Sequence, residues 1–192
     1  YFGKENRALI NKAYRSKFSK ITGAALVGVL VSNFAMIAVQ TVRLETSPMD
    51  VLGTSFGATW LMRMIITIIL LGIWFWMERK PRLTSKKHVP MLIASLVLIF
   101  TTTLLGHGTA TELAAPMVLD YMHNLLSSVW IGGVIFFAFV ILPTLAKLDW
   151  MEKEKTVLAI LPRYSGMITI ALGILIITGP TLLWFLESNV TS

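Results

Sequence analysis

The sequence predicts an all-α fold: a polytopic transmembrane helix bundle of five spans, with its amino terminus on the cytoplasmic side. Three observations lead there. The chain is strongly apolar, with 55% of its 192 residues hydrophobic, 14% charged and a mean hydropathy of +0.73. An average soluble domain carries about a quarter charged residues. The apolar residues gather in stretches long enough to cross a bilayer, which takes about 20 residues of helix. The basic residues gather between those stretches, in alternate connections.

The first stretch, Ile21–Val42, follows a polar, basic segment over residues 1–20. That segment lacks the apolar core and small-residue cleavage site of a secretory signal peptide, so it reads as a cytoplasmic flank. The other stretches are Gly57–Met77, Val89–Leu105 (the shortest), Val118–Leu142 and Tyr164–Leu186. Residues 21–187 thus form one transmembrane domain, and 188–192 an extracytoplasmic tail. None of the stretches alternates in polarity as a barrel strand does, and a helix satisfies its own backbone in lipid. Ala24, Gly28 and Ser32 recur every fourth residue in the first span, and Gly132 and Gly133 flatten the fourth. Such small residues predict close helix approach. Pro180 predicts a kink in the fifth span. Trp74, Trp76, Trp150 and Trp184 stand near span ends, as interface aromatics do.

Orientation follows from charge. Lys4, Arg7, Lys12, Arg15, Lys17 and Lys20 precede the first span. Arg79, Lys80, Arg82, Lys86 and Lys87 lie between the second and third, and Lys147, Lys153, Lys155 and Arg163 between the fourth and fifth. These are fifteen of the 17 basic residues. The net charge of +7 is therefore a positive-inside signature rather than a nucleic-acid footprint. The absence of Cys excludes disulfides, thiolate metal sites, iron–sulfur ligation and thiol catalysis.

A weak internal repeat aligns Lys17-Phe18-Ser19 with Arg163-Tyr164-Ser165 and Ser32 with Thr178. The first copy continues into a second helix; a sixth span would complete the other. With Tyr1 as the first residue, the 192 residues are expected to be part of a longer polypeptide, the ordered part of one, or a processed chain.

Ionisable groups in membrane helices are costly and so mark candidate functional positions. Arg63 lies in the second span, His107 ends the third, and Asp120 and His123 open the fourth. In the topology above all four lie toward the outer face. Asp120 and His123, three residues apart, share a helix face, and Met117 precedes them on nearly the same stripe. The short connection brings His107 to the same depth. Imidazole suits copper, zinc, iron and nickel, and thioether favours Cu(I). A carboxylate can ligate or orient an imidazole. Without Cys, copper held by His107, His123, Asp120 and Met117 is the best chemical match. Blander readings stand beside it. An interfacial His is commonly just polar, a His–Asp pair at this spacing is often a structural hydrogen bond, and Met117, Met122, Met36 and Met62 suit packing. Arg63 would then pair with a lipid phosphate or with Asp120. His88 lies in a basic connection.

Leu105-Gly106-His107-Gly108-Thr109-Ala110, Asp120-Tyr121-Met122-His123-Asn124 and Trp130-Ile131-Gly132-Gly133 together resemble the core of the copper resistance protein D (CopD) family. Thr54-x-x-Gly57 and the basic–aromatic–Ser starts at Phe18 and Tyr164 are similar to it as well. The resemblance covers most of the chain. It implies a protein of the cytoplasmic membrane that handles copper, Cu(I) or Cu(II), from the extracytoplasmic side. It also implies a small extracytoplasmic copper-binding protein as a partner or fused domain. His107, Asp120 and His123 match the motif; Met117 does not belong to it. Arg63 stands where the family commonly has Lys. Two other readings stay open: a b-type cytochrome with haem between two His, and a non-catalytic subunit among other membrane subunits. No nucleophile or paired carboxylates accompany these residues, so no enzyme is expected.

Overall fold

The computed structural model describes residues 4–79, 88–106 and 114–190, and among them it contains helices and no strand. Helix α1 spans Lys4–Arg43, α2 Pro48–Leu52, α3 Ser55–Arg79, α4 Val89–Leu105 and α5 Ala114–Phe136. A π-helical turn, Phe137–Ile141, leads into α6, Leu142–Leu145, and α7 spans Trp150–Val190. Among the described residues, four helical stretches are long and apolar enough to cross a membrane: Ile10–Arg43, Ser55–Arg79, Ala114–Leu145 and Trp150–Phe185. Helix α4 is apolar but has 17 residues, about 26 Å at 1.5 Å per residue. The chain is a multi-pass, all-helical membrane protein.

Two expected boundaries move. The basic segment before the first span is, from Lys4 on, the same helix as the span. It lacks Pro, and its first Gly within the helix is Gly23, so nothing ends the helix before the apolar stretch begins. Helix α7 likewise starts at Trp150, so Lys153, Lys155 and Arg163 are helical and not in a loop. The Asp149 carboxylate accepts from the Glu152 backbone N–H at 2.9 Å and caps that start. Helix α7 also runs unbroken through Pro162 and Pro180. The Thr181 hydroxyl donates to the Ile177 carbonyl at 2.7 Å, one residue past the Ile176 carbonyl that Pro180 leaves without its backbone donor.

Two compact units divide the chain: residues 22–121 form one, and residues 1–21 with 122–191 the other. In the first, α3 packs on α4, and α1 meets α3 at Gly23. A side-chain carbon at Gly23 would lie 2.7 Å from the Trp74 ring. The approach face of α1 is therefore Gly23, Leu26 and Asn33, all buried. The Ala24, Gly28 and Ser32 stripe, expected to allow close helix approach, is exposed, and nothing lies within 4 Å of a carbon placed at Gly28. The face that does approach carries one small residue, Gly23, with Leu26 and Asn33, so small-residue spacing does not reveal it.

Between α2 and α3 the Thr54-x-x-Gly57 element has a structural cause. The Thr54 hydroxyl donates to Val51 O at 2.6 Å and accepts from Gly57 N–H at 3.2 Å, capping α3. A side-chain carbon at Gly57 would fall 2.5 Å from the Leu52 backbone, so only glycine lets α2 pass so close. Helix α2 has its own capping box. The Ser47 hydroxyl accepts from Asp50 N–H at 3.3 Å, while the Asp50 carboxylate accepts from Ser47 N–H at 3.3 Å.

In the second unit, the π turn precedes Pro143. Leu142 N–H reaches five residues back to Phe137 O, and the Thr144 hydroxyl bonds Val140 O at 2.6 Å. Phe18 packs edge-on against Phe136 at 6.0 Å, and Tyr164 stacks on the next residue, Phe137, at 4.5 Å. The aromatic residues that open the two copies of the weak repeat thus land on consecutive residues. Gly133 meets α7, since a carbon there would lie 2.8 Å from Ile168 Cδ1, whereas Gly132 is open.

Gly57→Ala is expected to destabilise the protein by about 1–3 kcal/mol, as overpacking against backbone does. Gly72→Ala, with open space around residue 72, is expected to be neutral or stabilising by up to about 1 kcal/mol. Thermal unfolding in mild detergent compares them, and equal effects would contradict the α2–α3 geometry. The Ser47 hydroxyl, then the Thr46 hydroxyl and the Ser47 backbone, hold the Asp50 carboxyl below the usual aspartate range. The capping contribution is therefore complete above the unfolded-state pKa and is lost as pH falls through the lower folded-state value. Carboxyl-carbon NMR is expected to show Asp50 titrating low, and Ser47→Ala is expected to return it toward the ordinary range.

Candidate functional site

The polar interior of unit 22–121 is built on Arg63, two turns into α3. Its Nε donates to Asn33 Oδ1 of α1 at 2.7 Å. Its Nη1 donates to Thr102 Oγ1 at 2.8 Å and Thr101 Oγ1 at 3.1 Å, with Leu98 O at 3.4 Å, all on α4. Asn33 is 0% exposed, and its other end, Nδ2, donates to Thr67 Oγ1 at 3.0 Å. The Thr67 hydroxyl in turn donates to Arg63 O at 2.8 Å. Trp60 Nε1 donates to Asn33 O at 2.7 Å. Every acceptor bound to the guanidinium among the described residues is a neutral oxygen.

These partners follow from position. Asn33 lies on the α1 face that Gly23 and Leu26 bring to α3. Trp60, Arg63 and Thr67 follow one another at three- and four-residue intervals, so one face of α3 presents all three. Thr101 is buried, and its own proton goes to Leu98 O at 2.6 Å, leaving the oxygen to accept from Arg63. Reading ionisable groups alone misses Asn33. The signal was present: a carboxamide near the middle of an apolar span is also costly to bury unless bonded.

The residues singled out as copper ligands fall in three places. His107 lies outside the described residues. Asp120 brings its carboxylate to the carboxyl end of α4: Oδ2 is 3.6 Å from where a side chain on Gly106 would begin. Gly106 is the sequence neighbour of His107, so the carboxylate stands beside that chain segment. Next to it, Tyr121 packs edge-on against Phe100 at 5.6 Å, with its hydroxyl 3.4 Å from Leu96 O. Met117 is half-buried on α5, one turn earlier. Asp120 and His123 sit three residues apart on the unbroken helix α5.

His123 is oriented from α7. Its Nδ1 lies 2.8 Å from Thr178 Oγ1. The Thr178 hydroxyl also lies 3.4 Å from Leu175 O; when Nδ1 carries the proton, the threonine oxygen accepts it. That tautomer leaves the Nε2 lone pair for a metal, the usual division of labour in a ligating imidazole. Gly179 makes room: a carbon there would lie 3.6 Å from His123 Cε1. Among the described residues no three His, Asp or Glu side chains converge as a metal cluster.

Asn33→Leu is expected to cost about 1–3 kcal/mol, because it leaves Arg63 Nε without its acceptor. Trp60→Phe, which removes one donor, is expected to cost about 1 kcal/mol. Melting in detergent ranks the two, and the reverse order would contradict the network.

Residues 3–117 match the family described as copper resistance protein D-like, N-terminal domain. No curated protein and no solved structure matches the chain significantly. The matched segment contains the Thr54–Gly57 cap, Arg63 with all its partners, and His107; it ends three residues before Asp120. A match over more than half of the sequence, carried by the helices that enclose Arg63, makes this chain a member of the copper resistance protein D-like family.

Proposed function

We propose that this membrane protein takes up copper as cargo at the outer end of α5 and passes it across or along the cytoplasmic membrane. The observation that carries the reading is the pair of polar groups on α5. A carboxylate stands beside the segment that leads into His107, and an imidazole is oriented by Thr178 with Nε2 left for a ligand. His107 and His123 ligate directly. Asp120 ligates Cu(II) or balances the charge, and Met117 offers a soft donor to Cu(I). In this reading α4 serves as a fifth span, and the alternation of basic segments supports a cytoplasmic amino terminus. That orientation puts the ligands on the side where a small extracytoplasmic copper-binding protein would deliver or receive the ion. The residues support binding and transfer of an ion, with no catalytic step.

Copper content of the purified protein tests this. Wild type is expected to retain copper through dialysis, and His107→Ala and His123→Ala to lose most of it. Thr178→Val keeps both imidazoles but removes the orienting oxygen, and is expected to weaken copper binding about 10- to 100-fold. Equal copper in wild type and the double histidine variant would overturn the reading.

A further inference from the structure

Helix α7 has one narrow inner face. From residue 161 to 178 only Tyr164, Ile168, Ala171, Leu175 and Thr178 are not exposed. Their intervals of four, three, four and three residues keep them on one line of the helix. Three of them meet α5 or its π turn: Thr178 at His123, Ile168 at Gly133, and Tyr164 at Phe137. From His123 to Gly133 is ten residues, and from Thr178 back to Ile168 is also ten. Gly133 to Phe137 and Ile168 back to Tyr164 are four each. The two helices therefore run antiparallel in one constant register. That register sets Ala171 opposite Trp130, and Leu175 opposite Leu126.

Side-chain lone pairs stand only at the two ends of this seam. His123 and Thr178 bond each other at one end. The other end is 14 residues away, about 21 Å at 1.5 Å per residue. There the Tyr164 hydroxyl is buried and bonded to nothing among the described residues. Between the ends the facing side chains are aliphatic, apart from the Trp130 indole, whose N–H only donates. A cation drawn into that strip would shed its water and find no ligand, which is a large cost. The strip is also tight. A carbon on Gly133 would lie 2.8 Å from Ile168 Cδ1, and Ala171 is 3% exposed.

We propose that the His123 site is blind: a metal ion enters and leaves it by the same end, the one at which α5 begins. Naming the ion as copper rests on the reading above; the closure of the seam does not. The closure narrows that reading. The way across the membrane between α5 and α7 is shut to an ion. Its donor and its recipient therefore stand on one side, and His123 returns its cargo to a carrier on the face from which it came.

The chain has no Cys, so single cysteines report on the seam without background. The probe is silver ion, which carries the charge of Cu(I) and binds thiolate. It is applied to the whole chain in mild detergent, where both ends of the helices meet solvent. Reaction is read as the loss of alkylation after denaturation. His123→Cys is expected to react readily, and Leu175→Cys and Ala171→Cys at least tenfold more slowly. Leu126→Cys repeats the measurement from α5 if either α7 variant fails to fold. Reaction of a seam cysteine within tenfold of His123→Cys would overturn the proposal, because the ion then has a path onward. Equal shielding of His123→Cys would overturn it too, because the site then has no open end. The copper content of the wild type decides the identity of the ion separately.

Discussion

A guanidinium two turns inside an apolar helix must be ringed by oxygen, and helices α1, α3 and α4 are placed to supply it. Asn33 serves both directions, accepting from Arg63 and donating to Thr67. Only one orientation of its carboxamide satisfies both bonds. Thr101 and Thr102 turn their oxygens to the same centre. The result reverses the arrangement of a soluble domain. The fully buried positions include Asn33, Thr67, Thr101 and Thr103, while Val31, Phe34, Ile68 and Ile93 face outward. In lipid, apolar contact gives helices little reason to associate, so polar bonds and close packing carry the specificity.

Close packing in turn depends on a few glycines. Gly23 admits the Trp74 ring, Gly57 admits the backbone of α2, and Gly133 admits Ile168. Gly28, Gly72 and Gly132 meet nothing within 4 Å. The contact at Gly57 also fixes where α3 begins, and with it the depth of Arg63, because the Thr54 cap and the glycine set the first turn together. An element that reads in sequence as a short family signature is thus the anchor that positions Arg63, six residues after Gly57.

The helices and their apolar character were legible because a membrane helix needs an uninterrupted run of about 20 apolar residues. Their ends were not. The basic residues 4–20 and 150–163 continue as helix, since a charged helix and a charged loop share a composition. The packing face was read one residue off, at Ala24 and Gly28 instead of Gly23, because the true face carries one small residue beside Leu26 and Asn33 and so shows no small-residue repeat. At the site, Arg63, Asp120 and His123 stood out as ionisable residues in apolar surroundings. Asn33 and Thr178 did not, since a neutral side chain becomes conspicuous only when its partner on another helix is known. The family match supports the expected kinship but rests on residues 3–117, before the D-x-x-H segment that first suggested it.

The π turn at Phe137–Ile141 has a bearing on how the fourth span is read. Five-back bonding accommodates one extra residue, which offsets the angular phase of everything after it by about 100° relative to an uninterrupted α-helix. A helical wheel drawn for Ala114–Leu145 as one rod therefore misassigns its last two turns. Val140 is buried within the break, and Thr144 and Leu145 are buried beyond it. The span behaves as two short screws joined out of phase. Its Asp120–His123 end and its Pro143 end can each be trimmed to their own neighbours without a compromise in rotation.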